Sequence, residues 1–188
     1  MEVRPIVPEE FEAVGALTVD AYTSLADGWL DEDYIAELKD VAGRVASAVV
    51  LVAVDRGVPI GGVTYVPGPG PLAEWVVDDG VAGIRMLAVS PEAQGRGAGR
   101  ALTVACLERA MSEGKKTLVL HSTPLMTVAH RIYETLGFVR QPDLDMHYGD
   151  LHLMAFTLDL GRGKPDTPPG SGFWGGRRGG AAPPTVGD

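Results

Sequence analysis

The stretch Ser90–Val104, SPEAQGRGAGRALTV, joins an apolar run, GIRMLAVS (83–90), to a helical pattern through three glycines at alternate positions. A surface turn needs one glycine or two. Three of them, Gly95, Gly97 and Gly99, with Gln94, Arg96 and Arg100 around them, strip Cβ atoms from a strand-to-helix junction. Backbone N–H groups at such a junction converge on one object, and the helix N-terminus adds partial positive charge. The two arginines bring charge-assisted donors that suit phosphate oxygens. The junction therefore predicts an α/β chain carrying a phosphate or pyrophosphate cradle.

The flanking periodicities agree. EVRPI (2–6) reads as a strand, and Phe11, Val14, Leu17 and Ala21 recur at helical spacing after Pro8. A second helix starts near Asp31, with Tyr34, Ile35, Leu38, Val41 and Ala42 on one face. AVVLVAVD (48–55) and IGGVTYV (60–66) read as a hairpin, and PGPGP (67–71) as a loop. After the glycine junction come a helix over 99–114, a strand KTLVLHS (116–122), and a helix from Pro124. Leu125, Val128, Ala129, Ile132 and Leu136 form the apolar stripe of that helix, and Gly137 ends it. RQPDLDMHYGD is a polar loop before a last strand, LHLMAFTLDL (151–160). The expected order is β-α-α-β-β-β-α-β-α-β-β, a mixed central sheet flanked by helices.

Residues 161–188 contain nine glycines and five prolines among 28, too little apolar surface to offset ordering entropy, so they are expected to form a flexible tail beyond a single domain of residues 1–160. Net charge is −9, and the tail's four basic and two acidic side chains leave −11 on the first 160 residues. Such a surface argues against nucleic acid as a partner. No apolar run reaches the roughly 20 residues of a membrane span, and no signal peptide opens the chain. One cysteine, Cys106, excludes an internal disulfide, and the four histidines lack metal-ligand spacing. The expectation is a reduced cytoplasmic protein with no metal and no membrane partner.

A Walker loop requires Gly-Lys-Ser/Thr, whereas Gly99 is followed by Arg100 and Ala101. A dinucleotide loop reads G-x-G-x-x-G on a first strand, whereas this one reads G-x-G-x-G on a late strand. MLAVSPEAQGRGAGRAL instead resembles the Gln/Arg-x-x-Gly-x-Gly/Ala signature of the GNAT superfamily of acyl-CoA-dependent N-acyltransferases. AHRIYETLGF (129–138) is similar to the family's second element, Ala-x-x-x-Tyr-x-x-x-Gly-Phe, at the proper separation.

The resemblance implies the GNAT fold and acetyl-CoA as co-substrate. It assigns the pyrophosphate to the amides around Gln94, Gly95, Arg96, Gly97, Ala98 and Gly99, with Arg100 beside them. It assigns the pantetheine arm to the strand at Leu87, Ala88 and Val89, and the second element's contacts to Ala129 and Tyr133. Tyr133 stands where many members place the acid that serves the leaving thiolate; by itself the residue reads first as a packed helix aromatic, and the resemblance is what gives it the acid's role. Two positions depart from the family. Met126 stands where many members have a coenzyme-contacting Asn, and Gly83 where some have a general-base Glu. Glu74, Asp78 and Asp79 are upstream candidates for the base, Glu74 foremost.

His121, at a strand end, has a side chain able to poise an amine near neutral pH. Tyr22, Trp29, Tyr34 and His147, with Tyr148 beside it, are candidates for lining the acceptor pocket. The implied reaction is direct attack of an amine, small or peptidic, on acetyl-CoA in a ternary complex. A longer acyl group or a non-catalytic acyl-CoA-binding module are the alternatives, and a homodimer is compatible with the family.

Overall fold

The computed structural model describes residues 1–24, 30–73, 75–76, 78–149 and 151–161. The tail beyond 161, Trp29 and Glu74 lie outside the described residues.

Among the described residues, eight strands form a sheet: β1 (Glu2–Pro5), β2 (Val49–Asp55), β3 (Val58–Val66), β4 (Val81–Val89), β5 (Thr117–Ser122), β6 (Val139–Arg140), β7 (Met146–Tyr148) and β8 (Leu151–Asp159). Five α-helices accompany them: α1 (Phe11–Thr23), α2 (Glu32–Lys39), α3 (Val41–Ser47), α4 (Ala98–Ser112) and α5 (Thr127–Thr135). The spatial order is β1-β2-β3-β4-β5-β8-β6, with β7 paired to β8. All these pairings are antiparallel except β4 with β5, whose parallel connection is made by α4, as a crossover must be.

Helices cover both faces of the sheet. Leu51 and Ala53 of β2 enter one cluster with Ile84, Leu118, Leu120 and Phe156 under α4 and α5. Val50, Val52 and Val54 point the other way, onto Val14 of α1 and Val41 of α3. This two-sided burial explains why VVLVAV shows no polar alternation. The β2–β3 hairpin closes on Arg56 and Gly57, both at positive φ (51° and 81°), a two-residue turn whose twist matches the strands.

Three local expectations change. The helix expected from Asp31 through Ala42 breaks at Asp40, whose backbone (φ −78°, ψ 74°) ends α2 while its carboxylate accepts the Gly43 N–H at 2.8 Å to start α3. A short acidic side chain that satisfies a backbone donor competes with helix continuation. The new direction buries Leu38, Val41 and Arg44 together and leaves Ala42 exposed. The helix expected from Pro124 begins at Thr127, after a turn in which Met126 N–H donates to the Thr123 carbonyl. Leu125 and Val128 are therefore exposed, and burial falls on Tyr133 with Ala129, Ile132 and Leu136. Finally, the polar loop before β8 contributes β6 and β7, which pair along β8.

Asp40→Ala is expected to lower stability by about 1 kcal/mol, read as a reduced urea midpoint at unchanged slope.

Candidate active site

The site begins with a fault in β4. Gly62 faces Ala88 and Thr64 faces Arg85, so Met86 and Leu87 together oppose Val63, a bulge that puts Met86 at φ +51°. A buried non-glycine residue in that region carries about 1–3 kcal/mol of strain. The bulge turns β4 away from β5: their pairing runs from Val81↔Thr117 to Ile84↔Leu120 and stops, while β5 stays paired to β8 through Ser122. The Ser90 N–H still bonds the Ile60 carbonyl at 3.0 Å. By antiparallel alternation, Ala88 is then committed to β3, and the N–H and C=O groups of Leu87 and Val89 face the gap left by β5. Nothing in the apolar pattern of GIRMLAVS signals this bulge.

The glycine loop lies at the mouth of that gap. A single 3₁₀ turn (Pro91–Ala93) leads to Gly95 (φ 74°) and Gly97 (φ 84°), the N-cap of α4. Nothing stands within 4 Å of a Cβ built on either, so they are glycines for backbone conformation and for an open approach. The first intrahelical bond is Ala101 N–H to the Gly97 carbonyl, which leaves the amides of Ala98, Gly99 and Arg100 directed outward from the helix end. Gly99 differs: a Cβ there would rest 3.6 Å from Ile132 Cδ1 and Val89 Cγ2, where α4, α5 and β4 meet. The Arg96 guanidinium is paired with Asp55 at the end of β2, and the Arg100 side chain borders a shallow groove of about 470 Å³ between α4 and Val3 of β1. The cradle's donors are thus backbone amides, and the arginine expected to reach into it with its guanidinium is held outside by Asp55.

On the α4–α5 face, Tyr133 is 4% exposed, with ring centroids 5.8 Å from Phe138 and Phe156. It shares one apolar cluster with Leu87, Val89 and Ala129. Burial, with a smaller contribution from Cys106, pushes its phenol above the ordinary range, so it stays a donor. Cys106 itself is fully buried and pushed up to about 12 by that burial, which makes it inert as a nucleophile.

On the other face, the rings of Tyr22 and Tyr34 meet edge-on at 6.4 Å. The Tyr22 phenol is pushed well up by burial, then by Tyr34 and by Tyr133, which acts on it from the opposite side of the sheet. Arg85 donates to the Leu72 carbonyl at 2.7 Å and pairs with Glu37 at 3.2 Å. Beneath lies Arg44, 2% exposed, donating to Thr64 Oγ1 and to the Leu38 carbonyl. An arginine in each of two otherwise apolar segments was the available signal for this polar floor. Trp75 lies across Gly83: a Cβ there would fall 2.5 Å from the indole. Trp75 also meets His121 edge-on at 4.9 Å, and His121 Nε2 lies 3.0 Å from the Leu144 carbonyl.

His147 is exposed on β7 and stacks on His152 at 4.5 Å, while His152 bonds Asp145. Its ring contact is with the hairpin itself and not with Tyr22 or Tyr34. Asp78 caps the Gly80 N–H at the start of β4, and Asp79 offers its carbonyl to Lys115, both at the strand end remote from the gap. Among the described residues no group of three or more His, Cys, Asp or Glu side chains is arranged to hold a metal ion, and no helix is long and apolar enough to cross a membrane.

Residues 11–138 match the acetyltransferase (GNAT) family. The chain is 32% identical over 141 residues to a mycothiol acetyltransferase of Amycolatopsis mediterranei, covering 72% of this chain and 40% of that protein. It spans between 20% and 40% of the length of the curated relatives it matches. Among solved structures it is similar to ribosomal-protein-alanine N-acetyltransferase of Brucella melitensis (TM-score 0.63, 19% identity, 85% of this chain and 100% of that one). It is also similar to yncA of Salmonella typhimurium with its cofactor acetyl-CoA (TM-score 0.61, 21% identity, 88% and 98%). At these identities the structural likeness is one of fold.

The two kinds of glycine in the loop separate by substitution. Gly97→Ala, forced into left-handed backbone, is expected to lose about 1–2 kcal/mol. Gly99→Ala, in open contact within a helix, is expected to be neutral or to gain about 0.5 kcal/mol. Urea unfolding of both variants measures the difference.

Proposed function

The chain belongs to the acetyltransferase (GNAT) family, and from that membership we propose that it transfers the acetyl group of acetyl-CoA to an amine in a ternary complex. The observation that carries the reading is the gap between β4 and β5, with a row of free backbone groups on one wall and a glycine cradle at its mouth. The gap suits the extended amide-bearing arm of a coenzyme, and the open space over Gly95 and Gly97 suits a pyrophosphate. The acetyl-CoA described with the Salmonella relative supports the same donor.

The reading assigns the following roles. The amides of Gly95, Gly97, Ala98, Gly99 and Arg100 neutralise phosphate charge, whereas those of Gln94 and Arg96, expected to join them, donate to the Pro91 and Ala93 carbonyls. Leu87 and Val89 hydrogen-bond the pantetheine arm, and Ala88, turned to β3, spaces them. Acetyl-CoA supplies an acyl group activated as a thioester. The carbonyl is polarised by the free strand N–H groups as negative charge develops on its oxygen. Ala129 keeps α5 close to the gap. Tyr133, held protonated by burial, donates a hydrogen bond to the departing sulfur. Tyr22 and Tyr34 border the acceptor's approach on the opposite face. The unit we assign to this chemistry is residues 1–160, whose last strand ends at Asp159.

Mixing the protein with acetyl-CoA and a panel of amines, and following free thiol, tests the reading. Coenzyme binding without thiol release for any amine would favour a non-catalytic binding module. Faster release from propionyl- or succinyl-CoA would move the assignment to a longer acyl group. Tyr133→Phe is expected to lower kcat on the order of 100-fold at unchanged coenzyme affinity. Its stability is expected to stay within about 0.5 kcal/mol, because both ring contacts remain and no described residue bonds the hydroxyl.

A further inference from the structure

Trp75 decides where a base can stand. With its indole 2.5 Å from the Cβ position of residue 83, β4 has no room there for a side chain of any kind. The neighbouring strand presents a titratable group beside the same ring. His121 is the first β5 residue past the last β4 pair, Ile84↔Leu120, so it stands at the point where the gap opens. It alternates onto the face of Val119, which packs with Trp75, on the side of the sheet away from Tyr133.

The tautomer follows from its contacts. The Leu144 carbonyl only accepts, so Nε2 carries the hydrogen and Nδ1 carries a lone pair. Nδ1 is buried, and no described protein group donates to it. A buried acceptor without a donor is costly, and such atoms in native structures call for a functional explanation.

We propose that His121 Nδ1 is the proton acceptor for the attacking amine, taking the place that Trp75 denies to a side chain on β4. This rests on the acyl-transfer reading above. In the step, the amine nitrogen forms a bond to the thioester carbon and the carbon–sulfur bond breaks, its electron pair leaving on sulfur. The proton shed by nitrogen passes to Nδ1, directly or through one water admitted beside the Trp75 edge. The sulfur departs as thiolate within reach of the Tyr133 hydroxyl. The imidazolium formed returns its proton to solvent.

The charges around the ring are compatible with that role. Burial lowers the imidazole from its ordinary value, which keeps it neutral and able to accept at neutral pH. Asp145, beside Leu144, opposes that shift, while Arg85 of β4 and Arg140 of β6 reinforce it. Asp145 is engaged by Arg140 and His152, and Arg85 by Glu37. As pH falls through that lowered value the ring becomes charged, so activity carries an acid limb that lies below the range of an ordinary imidazole.

His121→Gln retains an Nε2–H for the Leu144 carbonyl and removes the titrating lone pair. Expected is a fall in kcat/KM on the order of 100-fold or more at pH 7, loss of the acid limb, and unchanged affinity for coenzyme A. Undiminished turnover with the limb intact would overturn the assignment, as would a limb lost in Glu74→Gln and kept in His121→Gln. If the variant does not fold, NMR titration of His121 in the wild-type protein decides. A ring titrating with the acid limb supports the role, and one titrating elsewhere overturns it. Absence of thiol release by the wild type with every amine overturns the acyl-transfer reading itself, and this assignment with it.

Discussion

The site hangs on one hydrogen-bond register. By placing two residues, Met86 and Leu87, opposite one on β3, the bulge in β4 forces a buried methionine into left-handed backbone and ends pairing with β5 four residues in. A parallel pair buried on both faces has no reason to part unless something prevents the ladder from continuing. Once it parts, unpaired N–H and C=O groups line a cleft inside the sheet, a costly arrangement that the amide-rich coenzyme arm of the proposed reaction would relieve. The strain at Met86 and the exposed strand groups are thus two aspects of the same construction.

The gap also joins chemistry from opposite faces. Tyr133 belongs to the core under α4 and α5, whereas Tyr22, Tyr34, Arg85 and His121 belong to the face covered by α1, α2 and α3. In an intact sheet these groups would be insulated from one another. In the proposed reaction the leaving sulfur is attended from one face while the amine arrives from the other. The break at Asp40 serves the same layout, because it turns Arg44 inward to hold Thr64 and the end of α2 beneath the acceptor side.

Much of this was legible in residue order. The glycines of QGRGAG announced a glycine-rich strand-to-helix junction, and AHRIYETLGF at its fixed distance pointed to the acetyltransferase (GNAT) family that residues 11–138 match. Legibility failed where a side chain's neighbour is remote in sequence. Arg96 suited a phosphate by type and position, yet Asp55, 41 residues away, holds it. Leu125 and Val128 fitted a helical stripe, yet the helix starts later and leaves both exposed.

By itself the sequence determined the strand–loop–helix cradle, the two-sided burial of the sheet and the position of Tyr133 on its helix. These depend on local conformational preference and on hydrophobic period, which neighbours along the chain encode. Only the tertiary structure decided that β4 and β5 part after Ile84, that Trp75 fills the space over Gly83, and that His121 faces that indole with one nitrogen bonded and the other without a donor among the described residues. Register, steric exclusion and hydrogen-bond completion arise between segments that meet only on folding, so no pattern within a segment carries them.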